Sequence, residues 1–274
     1  MTKKKNIYIV GGGKLLFELS KQLIRKKNLS VLCLVSKRHS AEIINENNLK
    51  TNLSKSNIPF KQISNINTYQ FKNVSKDSII ISISCPWIIN KKILNLFKFN
   101  VFNMHGTRLP RDGGGGNITW QILRGNKRGC VLIHQIDNLI DTGPIVSYKE
   151  FDYRNCEIPS DYYKVYNKYA LELLNKFISN ITQKNKLTLY KQTPFFQTYF
   201  PRLSTKIHAY IDWSYKIENL YRFICAFDDP YPGAHTYINN KKIYLKKAFI
   251  DYEEHFFHPF QYGIVYYKNS EYIS

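Results

Sequence analysis

Asn6-Ile7-Tyr8-Ile9-Val10-Gly11-Gly12-Gly13-Lys14-Leu15-Leu16-Phe17 decides how the chain is read. A short apolar strand runs into three glycines and on into a helical pattern over residues 14–26. That is how a strand–helix–strand unit opens. Working outward, the alternation repeats. Residues 31–35 form a second apolar run, followed by a helical stretch around 39–49. Residues 79–83 and 101–102 read as buried strands with a helix over 89–97 between them. A helix over 117–124, a strand over 129–135 and a long amphipathic helix over 161–180 follow. The expected fold is α/β, a doubly wound, Rossmann-like and mostly parallel sheet.

After Tyr190 the chain becomes aromatic and turn-rich, with Pro194, Pro201, Pro230 and Pro232. One more helix over 216–226 and short strands over 234–238, 242–250 and 263–267 complete it. We place a boundary near residue 205, giving a catalytic domain over 1–205 and a small β-rich C-terminal appendix over 206–274.

The glycine triplet is neither of two familiar phosphate loops. A dinucleotide fingerprint begun at Gly11 requires glycine where Leu16 stands, and a P-loop requires Ser or Thr where Leu15 stands. What remains is a tight strand-to-helix turn whose amides are available to a phosphate.

Composition narrows the class. A hydrophobic fraction of 43% supports a sizeable core. No apolar run approaches the ~20 residues of a membrane helix, and the basic start at Lys3-Lys4-Lys5 leads into too short a run for a signal peptide. A cytoplasmic protein with no membrane partner is expected. Cys33, Cys85, Cys130, Cys156 and Cys225 are widely spaced, without a C-x-x-C pair, and read as reduced thiols. His255-x-x-His258 has zinc-like spacing but no companion ligands, so no metal is expected. The net charge of +20 invites a nucleic-acid partner. The lysines are scattered through a chain also rich in Asn and Ile, however, which is compositional bias and not a polyanion surface. A basic field would still draw in an anionic nucleotide or a polyglutamylated folate.

Chemistry concentrates between residues 101 and 145. Asn103-Met104-His105 is followed by Leu109-Pro110-Arg111-Asp112, four glycines at 113–116, and Asn117 to Trp120. Ile136-Asp137 and Asp141-Thr142-Gly143-Pro144-Ile145 come next. Asn103 and His105 lie two apart at a strand end, so they share a face. The carboxyl ends of strands are where open α/β sheets bind ligands, and a glycine run lets backbone pass close to one.

These motifs resemble the folate-dependent formyltransferase family, in their types and in the gap from Asn103 to Asp141. The resemblance covers most of residues 6–250. It implies N10-formyltetrahydrofolate as formyl donor and Asn103, His105 and Asp141 as the catalytic trio. Pro201-Arg202-Leu203, Ile211-Asp212-Trp213-Ser214 and Asp229-Pro230-Tyr231-Pro232-Gly233-Ala234 are similar to the sugar N-formyltransferases. The implied acceptor is therefore a nucleotide-linked amino sugar, dTDP-4-amino-4,6-dideoxyglucose or its 3-amino isomer, for lipopolysaccharide O-antigen or other surface polysaccharide. The alternative is a methionyl-tRNA formyltransferase. It is favoured by the charge and disfavoured because the stretch after Ala234 is too short for that family's β-barrel and Leu-Pro-Arg-Asp-Gly-Gly replaces its loop.

The resemblance also distributes roles. The pterin is expected against Cys85, Trp87 and the chain from Asp137 to Asp141, Lys14 and Arg202 at the pyrophosphate, and Tyr231 on the base. Asn103 would donate to the oxyanion. His105 is either a general base or an imidazolium held by Asp141. The sequence leaves the oligomeric state open, a homodimer included.

Overall fold

A short apolar run ending in glycines suits a strand covered on both sides, and the opening run is one. In the computed structural model, which describes residues 4–72, 74–183, 185–252, 258–265, 267–270 and 273–274, it becomes β1 (Lys5–Gly11), leading into α1 (Gly13–Leu23). Then come β2 (Leu29–Val35), α2 (Leu49–Lys55), β3 (Phe60–Gln62), β4 (Ile79–Ile83), α3 (Lys91–Leu96) and β5 (Val101–His105). α4 (Asn117–Leu123), β6 (Arg128–Gln135), β7 (Ile145–Asp152) and α5 (Pro159–Thr182) follow. The sheet order is β7-β6-β5-β4-β1-β2-β3. β1 to β5 pair parallel, while β6 is antiparallel to β5 and to β7. All five residues of β4 are buried.

Strand order reverses between β1 and β4, and the glycine triplet sits at that point. A Cβ on Gly11 (φ +129°) would stand 1.8 Å from the Ile83 carbonyl oxygen, which accepts the Gly12 amide at 3.1 Å. A Cβ on Gly12 would stand 2.4 Å from the His39 ring. The first two glycines thus let two strand ends and a buried histidine approach closely.

One expected helix is absent. Residues 39–49 contain a helical turn (Lys37–Ser40), a small hairpin pairing Ile43–Ile44 with Asn47–Asn48, and then α2. Asn45 and Glu46 take positive φ at the hairpin tip, and the Asn48 side chain caps α2 by accepting from the Thr51 amide.

Contacts divide the chain into two units. The first comprises residues 1–117, 128–153 and 164–201, and the second 118–127, 154–163 and 202–274. In the second, α6 (Ile217–Ala226) packs on a hairpin of β8 (Ala234–Ile238) and β9 (Lys241–Leu245). Asp228 is fully buried, and its carboxylate accepts from the Asp229 and Lys247 amides, both at 2.6 Å. The second bond holds Lys247 at φ +53° and ends β9 short of the expected residue 250. The expected strand over 263–267 does not form among the described residues. Gly263 takes φ +78° against the Trp213 ring, where a Cβ would meet carbon at 2.8 Å. Among the described residues, no helix is long and apolar enough to cross a membrane, and no three His, Cys, Asp or Glu side chains are grouped to hold a metal ion. His255 lies outside the described residues.

Candidate active site

Strand pairing builds the site. β5 ends in Asn103-Met104-His105, and the two-residue repeat sends Asn103 and His105 to one face. On one side of Asn103 the register places Ser82 of β4, and on the other His134 of β6. Asn103 remains partly exposed within β5 while its neighbours are buried. Ser82 Oγ donates to Asn103 Oδ1 at 2.8 Å, and Asn103 Nδ2 lies 3.1 Å from His134 Nε2.

His105 is buried. Its Nε2 stands 2.7 Å from Thr107 Oγ1 and 3.2 Å from the Asp112 carbonyl oxygen. The Thr107 hydroxyl spends its only hydrogen on that same carbonyl. Nε2 must therefore carry the ring proton, which leaves Nδ1 bare. Nδ1 faces Asp141 Oδ1 at 3.7 Å.

Asp141 reaches the site from the loop between β6 and β7, with φ +57°, a conformation Asp tolerates better than most residues. Gln192 holds it there. The Gln192 side-chain amide donates to the carbonyls of Asp141 at 2.9 Å and Gly143 at 2.7 Å. A Cβ on Gly143 would stand 1.8 Å from the Gln135 carbonyl oxygen, so the loop returns against β6 only through glycine. The Gly114 amide donates to Asp141 Oδ2 at 2.9 Å. Gly114 itself pairs with Phe200, whose carbonyl oxygen leaves no room for a side chain. The glycine-rich loop is thus packed between residues 199–200 and the Asp141 carboxylate.

The electrostatics follow from burial. Desolvation lowers the His105 pKa below its ordinary 6.5, outweighing the pull of Asp141, so the ring rests neutral. Burial alone would raise the Asp141 carboxyl. The His134 and His105 rings, whose cationic forms would pair with it in the acid range where it titrates, and the Gly114 amide outweigh it and bring the pKa to about 2. A bare imidazole nitrogen, a carboxamide and an ionised carboxylate therefore converge: a proton acceptor, an oxyanion donor and a fixed negative charge.

Residues 4–176 match the formyl transferase family, and residues 204–271 match the formyl transferase C-terminal domain. The chain belongs to the formyl transferase family. It is 31% identical over 220 residues to the bifunctional polymyxin resistance protein ArnA of Wigglesworthia glossinidia brevipalpis, covering 79% of this chain and 33% of that protein. To the methionyl-tRNA formyltransferase of Rickettsia felis it is 29% identical over 195 residues, covering 70% and 62%. It thus spans one third to three fifths of these relatives' lengths. Among solved structures, WlaRD, a sugar 3N-formyl transferase in the presence of dTDP and 5-N-formyl-THF, superposes with a TM-score of 0.67 at 25% identity, covering 89% of this chain and 85% of that one. A 4-N formyltransferase from Francisella tularensis shares the fold, with a TM-score of 0.68 at 20% identity over 90% and 99%.

The residues named from sequence fall into three groups. Asn103, His105 and Asp141 are brought together. Cys85 and Trp87 pack with Ile136 on one apolar cluster, beside the start of the loop that carries Asp137. Burial pushes the Cys85 thiol up to about 11, so it is a neutral wall and not a nucleophile. The Asp137 carboxylate turns into its own loop, accepting from the Leu139 amide at 3.1 Å and Thr142 Oγ1 at 2.7 Å. Leu139 and Ile140 are left exposed at 70% and 51%. Lys14 and Arg202 are exposed. Tyr231 is half-buried in the second unit, its hydroxyl 3.0 Å from that of Tyr163. Sequence reasoning did not single out Ser82, Thr107, His134 or Gln192. His134 had one signal, a histidine directly following the apolar run Val131 to Ile133.

Proposed function

We propose that the chain transfers the formyl group of N10-formyltetrahydrofolate to the amine of a nucleotide-linked amino-dideoxy sugar, with Asn103, His105 and Asp141 carrying the chemistry. The observation that carries this reading is the convergence of those three side chains in a chain of the formyl transferase family. The donor supplies an activated one-carbon unit. The apolar walls at Cys85, Trp87, Leu139 and Ile140 suit a flat bicyclic ring, and the backbone of the Asp137 to Asp141 loop would meet its polar edge.

His105 Nδ1 takes the proton of the attacking amine as the new C–N bond forms. Asn103 donates its amide N–H to the oxygen that gains charge at the formyl carbon, a stabilisation of about 3 kcal/mol if it resembles other oxyanion donors. Asp141 stabilises the imidazolium and so favours the transfer. The proton then returns to the donor nitrogen as the old C–N bond breaks. The likeness to WlaRD supports a sugar acceptor. Lys14 and Arg202 are our candidates for the pyrophosphate, Tyr231 for the base, and the cytoplasm for the location.

The test is incubation with N10-formyltetrahydrofolate and a panel of nucleotide amino sugars, read as the gain of one formyl mass. No product from any sugar, with formylation of methionyl-tRNA instead, would move the assignment to the second reading. That reading is favoured by the methionyl-tRNA formyltransferase of Rickettsia felis and by the charge of +20.

A further inference from the structure

Asn103 can stabilise an oxyanion only if its NH2, and not its carbonyl, looks into the cleft. A carboxamide has no intrinsic preference between these two orientations, so something must choose. His134 Nδ1 faces the Gln135 carbonyl oxygen at 3.1 Å. That oxygen can only accept, so the proton sits on Nδ1. In the neutral ring Nε2 is then a bare lone pair, and it faces Asn103 Nδ2 at 3.1 Å. Asp141 Oδ1 is 3.6 Å from the same nitrogen, beyond hydrogen-bond reach. On the opposite side Ser82 Oγ donates to Asn103 Oδ1 at 2.8 Å. Donor and acceptor alternate without conflict from Ser82 to the Gln135 carbonyl.

We propose that Ser82 and His134 are positioning residues: they clamp the Asn103 carboxamide from both sides and turn its second N–H towards the formyl oxygen. The inference rests on the role of Asn103 set out under Proposed function. Turned over, Asn103 would present its NH2 to Ser82 and its oxygen to His134, which would then need a proton on Nε2. The protonation of His134 therefore reports which way Asn103 faces. The clamp also requires His134 and His105 to be opposite tautomers, Nδ1–H in the first and Nε2–H in the second. Both flanking residues are buried, at 3% and 2% exposed. Bulk water therefore offers them no substitute partner, and loss of either one frees the amide to rotate.

Nitrogen-15 NMR of histidine-labelled protein reads this without any turnover. The expected result at neutral pH is a protonated Nδ1 and a bare Nε2 for His134, assigned through the loss of its signals in His134→Gln. A proton on Nε2, in either the neutral or the cationic ring, overturns the clamp. The kinetic arm is a double-mutant cycle. Ser82→Ala should lower kcat about 10-fold, less than the 10²–10³-fold cost of removing an oxyanion donor outright. In an Asn103→Ala background the same change should have no effect beyond about twofold. His134→Gln, which keeps an acceptor near the Nε2 position, should retain more kcat than His134→Phe. Equal losses from Ser82→Ala in both backgrounds, with folate affinity and melting temperature unchanged, would overturn the proposal. A wild-type protein that formylates no amine would instead sink the functional reading and leave the NMR result standing.

Discussion

His105 is where burial and charge oppose each other, and burial prevails. The base form is therefore populated down through the ordinary histidine pKa. We expect the His105 ring, followed by NMR, to stay neutral down to pH 6.5 and to protonate only below it; a His105 titration centred above 6.5 would refute a neutral resting ring. The stability consequence has the same sign. Below about pH 6.5 the unfolded chain takes up a proton that the folded site refuses, so His105 costs stability as pH falls towards its lower folded value. Asp141 contributes stability above its ordinary pKa of 3.8, which is lost as pH falls towards about 2. His105→Asn should remain folded with kcat reduced roughly 10²-fold or more, checked by single-turnover kinetics beside a melting curve. Tyr231 offers a contrast. Its hydroxyl already meets Tyr163, so the ring is what remains for a base. Tyr231→Phe should leave nucleotide-sugar affinity nearly unchanged, whereas Tyr231→Ala should cost about 1–3 kcal/mol, with folate binding untouched. Equal losses for both substrates in a titration would reassign the ring to packing. Asn103, His105 and Asp141 were legible because side-chain type, spacing and a glycine loop coincided. The contacts of His134 and Ser82 with Asn103 were not, because they come from strand register, which one sequence does not print.

At the scale of elements, glycines decide where backbones meet. Gly143→Ala places a methyl group where the Gln135 carbonyl oxygen now stands, 1.8 Å from the ideal Cβ. The loop must move away from β6 and carry Asp141 with it. We expect a melting temperature lower by several degrees, from a loss of about 1–3 kcal/mol, and a fall in kcat larger than the change in donor affinity. A variant with wild-type kcat would show that the loop accommodates the methyl group without moving Asp141. The parallel strands were readable as apolar runs, since both faces are covered. β7 was not. Its first residues were absorbed into the Asp-Thr-Gly-Pro-Ile motif, and the rest is a half-exposed sheet edge. The missed hairpin at residues 43–48 has the same origin as most boundary errors. Asn45 and Glu46 bear side chains compatible with a helix, and only their positive φ marks them as the tip of a hairpin that follows a helix already ended at Ser40.

For the whole molecule, charge is the property a single measurement can interpret. If the +20 net charge serves a nucleotide sugar, KM should depend weakly on salt. A tRNA complex making 6–10 phosphate contacts would lose roughly 10³–10⁵ in affinity between about 50 and 200 mM salt. Contact units do not follow the order of the sequence. Segments 118–127 and 154–163 group by contact with residues 202–274, and nothing in their composition announces it. The same non-locality governs the candidate site. Ser82, Asn103, Gly114, His134, Asp141 and Gln192 come from well-separated stretches of chain, joined through strand register and a returning loop. Closing such long loops is entropically costly before any contact repays it. No early fragment of the chain can hold a working site. On dilution from denaturant, the proposed formyl transfer should consequently reappear no sooner than the last phase of sheet formation, and the order in which the two signals recover measures how late the site is assembled.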